Sequence, residues 1–74
     1  MHVIILKSKK ETKFLDKAKT ILEANEYKEI NQNSFIGQKV ASTIVNQELK
    51  NIKEYKSDKT KCGIEIYYGN VNKI

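Results

Sequence analysis

Proline, tryptophan and arginine are all missing from this 74-residue chain, glycine appears three times and cysteine once. With chain breakers this scarce, no linker, low-complexity tract or internal repeat is expected, and the chain reads as one domain, 1–74. A lone Cys62 excludes an internal disulfide, and no Cys/His cluster offers metal-ligand spacing. The longest apolar run is Val3-Ile4-Ile5-Leu6, far short of a membrane span or a signal-peptide core. The expected setting is therefore intracellular: cytoplasm, nucleoid or nucleus, with no membrane partner.

Missing arginine matters most for function. All fourteen cationic residues are lysine, and against nine acidic residues they give a net charge of +5 and a pI near 9.4. Such a balance favours polyanionic partners. Arginine makes the bidentate contacts to guanine that most often read sequence, whereas lysine acts as a flexible point charge. If the ligand is DNA or RNA, recognition of the backbone follows. A genome poor in G and C would also favour lysine over arginine, and composition does not separate the two explanations.

Hydrophobic residues are 39% and charged residues 31% of the chain, the balance of a small folded domain. At this length the core sits near the lower limit for independent stability, so pairing into a homodimer is a natural supplement. Val3 to Leu6 reads as a central strand covered on both faces. It runs into a lysine-rich bend where Lys7, Lys9, Lys10 and Lys13, offset by Glu11, gather charge at a strand end. Phe14, Leu15, Ala18, Ile21 and Leu22 then fall on one stripe of a helix, with Thr12 a candidate N-cap and Asn25 a candidate terminator.

Residues 27–31 alternate as a short second strand, and one helix between two such strands predicts a parallel βαβ unit. Gln32-Asn33-Ser34 is a polar loop that can cap a second helix running from Phe35 to about Asn51, on the pattern Ile36, Val40, Ile44 and Leu49 with Ala41 and Val45 beside it. Gly37 lies in the first turn of that helix, either as a tolerated surface glycine or as room for another backbone. Residues 52–56 and 62–68 read as the two strands of an antiparallel hairpin around 57–61, and residues 70–74 as a short tail. The expectation is an α/β two-layer sandwich, β-α-β-α-β-β, with two helices on a four-stranded mixed sheet.

That order resembles the Alba family of small chromatin and RNA-binding proteins, over nearly the whole length. Ile4-Ile5-Leu6 with the Lys9-Lys10 bend is similar to the family's first strand and lysine loop. Ile36-Gly37-Gln38-Lys39-Val40 is similar to its second-helix start, and Gly63-Ile64-Glu65-Ile66-Tyr67 to its closing strand. Gln32-Asn33-Ser34 stands where the family has an arginine-glycine segment, and its long basic hairpin arm is cut to residues 57–61. The resemblance implies an Alba-like fold, dimerisation and binding to the DNA or RNA backbone centred on Lys9 and Lys10. A partial likeness to glutaredoxins fails, because the Cys-x-x-Cys pair and the cis-proline are both missing.

The residues expected to contact nucleic acid are Lys7, Lys9, Lys10, Lys13, Lys39, Lys59 and Lys61, with the pair Lys59 and Lys61 contributing less. Tyr27, Tyr55, Tyr67 and Tyr68 can stack on unpaired bases or pack across strands. No enzyme is expected: His2 is the only imidazole, no carboxylate pair falls in a pocket-forming pattern, and no phosphate-binding glycine loop occurs. No cofactor or metal is called for. The second functional reading is a small protein-interaction module or inhibitor, of phage or plasmid type, whose basic face engages an acidic site on a host protein.

Overall fold

A computed structural model describes residues 1–9, 12–58 and 63–71. Strand β1 is His2–Ser8, followed by helix α1 (Thr12–Ala24), strands β2 (Lys28–Asn31) and β3 (Ser34–Gly37), helix α2 (Ala41–Gln47), a short 3-10 turn (Leu49–Asn51), helix α3 (Lys53–Asp58) and strand β4 (Ile64–Asn70). The four strands lie in the order β2-β3-β1-β4 and every pairing is antiparallel.

The α/β class, the four strands and the helical layer agree with expectation; the mixed sheet and the β-α-β-α-β-β order do not. β1 and β2 run the same way but are not neighbours, because β3 lies between them. The connectivity is that of a split β-α-β-β-α-β sandwich, with α3 added before the last strand. β3 occupies residues expected to start a helix, and α3 occupies residues 53–58, where a hairpin strand was expected. The reason is visible in the spacing: Leu49, Ile52 and Tyr55 recur every third residue and face the core, whereas strict alternation from Ile52 would have buried Glu54 and Lys56.

The core consists of Ile4 and Leu6 from β1, Phe14, Ala18 and Leu22 from α1, Tyr27 just after it, Phe35 from β3, Ala41, Ile44, Val45, Leu49 and Ile52 from the helical segment between β3 and β4, and Ile64 from β4. It seats both layers on one face of the sheet. The apolar stripe of α1 is as expected, and its end is fixed by backbone geometry. Glu26 takes φ 65°, and the N–H groups of Glu26 and Tyr27 donate to the carbonyls of Glu23 and Leu22 at 3.0 and 2.9 Å. This is a Schellman ending, with glutamate at the left-handed position that glycine usually fills. It turns Tyr27 into the core, and the phenol donates to the Lys39 carbonyl at 2.6 Å.

Gly37 therefore makes room for a ring: a side chain there would overlap that of Tyr27. His2, read above as non-catalytic, accepts the backbone N–H of Ala41 through Nδ1 at 3.3 Å, at the start of α2. Asn70 ends β4, and Val71 bonds back to Met1. No helix among the described residues is long and apolar enough to cross a membrane.

One ion pair ties α1 to α3. Lys17 Nζ lies 3.0 Å from Glu54 Oε1, and its hydrogen bond holds the Glu54 carboxyl below the usual glutamate range. A depressed folded-state pKa stabilises the fold above the unfolded value and ceases to do so as pH falls through the folded one. Glu54→Gln is therefore expected to lower the thermal midpoint at pH 7, and the gap from wild type should close as pH drops below the carboxylate range. A gap that persists unchanged in acid would show that the ion pair is not its source.

Candidate functional site

Side chains alternate along a strand, so a sheet covered on one face leaves the other to solvent. The expectation that β1 is covered on both faces is not met: Ile4 and Leu6 point to the helices, which sends Val3, Ile5 and Lys7 to an open side, because the apolar run continues onto a solvent-facing band. The register carries this across the sheet. Lys7 lies opposite Glu65, Ile5 opposite Tyr67 and Val3 opposite Gly69 on β4, while Ile36 and Ser34 flank Val3 and Ile5 from β3. The open face thus carries a central apolar band with Ile5 and Tyr67 at its middle, 36% and 49% exposed.

Lysines border that band. Lys7 Nζ sits 5.5 Å from the centroid of the Tyr67 ring, a cation–π distance. The Tyr67 hydroxyl donates to Glu65 at 2.9 Å, and this bond to a carboxylate raises the phenol pKa above its ordinary value. The hydroxyl bond to Glu65 and the Lys7 contact both hold the Tyr67 ring at the open face. Lys28, opposite Ile36 on β2, adds a further cation on the far side.

Where β1 ends, the band opens into a groove of about 550 Å³, lined by Lys7 and Lys9 on one wall, Gln32, Asn33 and Ser34 on another, and Glu65. The polar wall exists because β2 and β3 form a tight hairpin. Asn33 takes φ 61°, its N–H donates to Glu29 Oε2 at 2.8 Å and its carbonyl accepts the Leu6 N–H at 2.9 Å. Asparagine tolerates this left-handed conformation, and the bulge between Glu29 and Asn31 completes the turn. The segment expected to cap a helix is instead a hairpin tip hydrogen-bonded to the central strand.

Of the seven lysines expected at the site, Lys7 and Lys9 come together here. Lys10, Lys59 and Lys61 lie outside the described residues. Lys13 starts α1 and contributes to the field at Glu54, which places it with the helical layer. Lys39 follows β3 at the end of the sheet remote from Lys9. Of the four tyrosines, Tyr27 is buried, Tyr55 packs at 6.2 Å from Phe14, Tyr68 lies on the helix side of β4, and Tyr67 alone joins the lysines. The groove residues Gln32, Asn33 and Ser34 and the platform residue Ile5 were not among those expected, although the asparagine-rich turn was a signal for a hairpin.

Charge is unequally divided between the two sides. Among the described residues with described side chains, Asp16, Glu23, Glu26, Glu29, Glu48 and Glu54 belong to the helices, their ends or the helix-facing side of β2, and only Glu65 stands on the open face. No group of three or more potential metal ligands occurs among the described residues. Compared with protein-family models, curated proteins and solved structures, the chain matches none.

Proposed function

We propose that this protein binds single-stranded nucleic acid, RNA or DNA, across the open face of its sheet, with little dependence on base sequence. The observation that carries the reading is the Lys7–Tyr67–Ile5 cluster on an uncovered sheet, continuous with a groove edged by Lys9, Gln32, Asn33 and Ser34. An exposed ring and an aliphatic neighbour offer a surface on which any base can stack, and flanking lysines neutralise the backbone. A duplex keeps its bases stacked inside, so the apolar band would find no partner there. Without arginine, bidentate readout of guanine is unavailable, which leaves the amides of Gln32 and Asn33 as groove groups able to bond a base edge.

A salt titration of binding to fluorescent oligouridine and oligothymidine tests the proposal. Each phosphate contact on a single strand contributes about 0.7 to the slope of log K against log salt. The double variant Lys7→Ala, Lys9→Ala is expected to flatten that slope by about 1.4 and to weaken all sequences alike. Strands of equal length and scrambled sequence should bind within about tenfold of one another, because phosphate contacts do not distinguish bases. If neither oligonucleotide binds below about 100 μM at low salt, weaker than ordinary non-specific binding, the proposal fails and the protein-interaction reading replaces it.

A further inference from the structure

The sheet has two edges, and only one is protected. β2 is four residues long, interrupted by a bulge, and carries Lys28 and Glu29. Short length, irregularity and charge are the usual devices that keep an edge from pairing. β4 is neither short nor irregular. It runs seven residues in unbroken register with β1, and Glu65 is its one charged residue.

The flanking hydrogen bonds reveal which way the backbone groups of β4 point. Val71 N–H donates to the Met1 carbonyl at 2.7 Å and Lys9 N–H to the Gly63 carbonyl at 3.0 Å, one pair at each end of the ladder. In an antiparallel pair the bonded positions alternate. Odd-numbered residues of β4 are thus turned toward β1, and Ile64, Ile66, Tyr68 and Asn70 present their N–H and C=O groups outward. No described strand lies beyond them.

We propose that β4 pairs antiparallel with β4 of a second copy of this chain, joining two sheets into one of eight strands. The strand is its own complement. In the fully overlapped register Ile66 meets the partner's Tyr68, Ile64 meets the partner's Asn70, and Tyr67 meets its counterpart on the two-fold axis. Every outward backbone group is then paired. Glu65 falls opposite the partner's Gly69, so no like charges meet. Tyr67 and Tyr68, 49% and 46% exposed in the single chain, flank the seam on opposite faces. A foreign peptide would have to reproduce this pattern, whereas a second copy carries it already. The two Lys7–Tyr67 clusters would lie side by side on one continuous open face, but the pairing stands independently of the nucleic-acid reading.

The test is done without nucleic acid. Sedimentation velocity should show a dimer with Kd below about 1 mM, and amide exchange followed by NMR should show a two-residue rhythm. Ile66 and Tyr68 amides should slow as the protein is concentrated, while Glu65 and Tyr67 amides should be slow throughout. Tyr68→Pro removes an outward N–H and leaves the β1 ladder intact, so it should give a folded monomer, with Tyr68→Thr still dimeric. Should the proline variant fail to fold, the exchange rhythm of the wild-type chain decides. A monomer at every concentration, exchange of the outward amides that ignores concentration, or a Tyr68→Pro variant that still dimerises would each overturn the proposal.

Discussion

Gly37→Val is expected to remove a large share of the stability of this domain. A Cβ at residue 37 would overlap Cδ1, Cε1 and Cγ of the Tyr27 ring. The ring has nowhere to go: its backbone is fixed by the Schellman ending of α1 and its hydroxyl by the Lys39 carbonyl. Overpacking of this kind costs about 1–3 kcal/mol and more where neighbours cannot yield. Against a total of about 4–11 kcal/mol for a chain this size, that is a large share. Urea unfolding should show a clear drop in midpoint, whereas Gly69→Val, with nothing near the added carbon, should leave it nearly unchanged. In a double-mutant cycle, Tyr27→Leu should absorb much of the cost of Gly37→Val. Simple additivity of the two would mean that ring and glycine do not share one space.

Tyr67→Ala is expected to produce the largest loss of oligonucleotide binding of any single substitution on the open face. Stacking of one base on an aromatic ring contributes about 1–3 kcal/mol, or roughly fivefold to 150-fold in Kd. The same change frees Glu65 from its hydrogen bond and takes the ring from beneath Lys7, so the Glu65 carboxylate is left to compete with phosphate for Lys7 opposite it. Tyr67→Phe separates the contributions: it keeps the stacking surface, and should retain most of the affinity. Tyr68→Ala changes a ring on the other face and should bind within about threefold of wild type, since surface substitutions away from a site have small effects. Measurements belong at protein concentrations low enough for the single chain to dominate. Equal losses for Tyr67→Ala and Tyr68→Ala would mean that the open face is not the binding surface.

What sequence reasoning recovered and what it missed follow from how local each signal is. α1 was legible because Phe14, Leu15, Ala18, Ile21 and Leu22 make one stripe, and β1 because four apolar residues run without a break. Lys7 and Lys9 could be placed at a strand end for the same reason. β3 was absorbed into a helix because Ile36, Val40 and Ile44 happen to fit a four-residue spacing, although Ile36 faces the open side of the sheet and Val40 is half exposed. The hairpin before it was obscured by a turn without glycine, in which Asn33 takes the left-handed position. The partnership of Lys7 with Tyr67 was out of reach of any local pattern. It depends on β4 being the neighbour of β1, a pairing between segments some sixty residues apart.

That same pairing sets an order on the chain's manufacture. Synthesis is vectorial, and β1, an inner strand of the sheet, is made before the described helices while its partner β4 comes after them. Through most of elongation the nascent chain can build α1 and the β2-β3 hairpin, but the outer side of β1 has nothing to bond. Contacts of this span slow folding, because the intervening loop must close before they contribute. For that interval β1 has β3 on one side and an open edge on the other. The sheet is accordingly completed last at β4, and the rate of folding should be set by how fast that distant pairing closes.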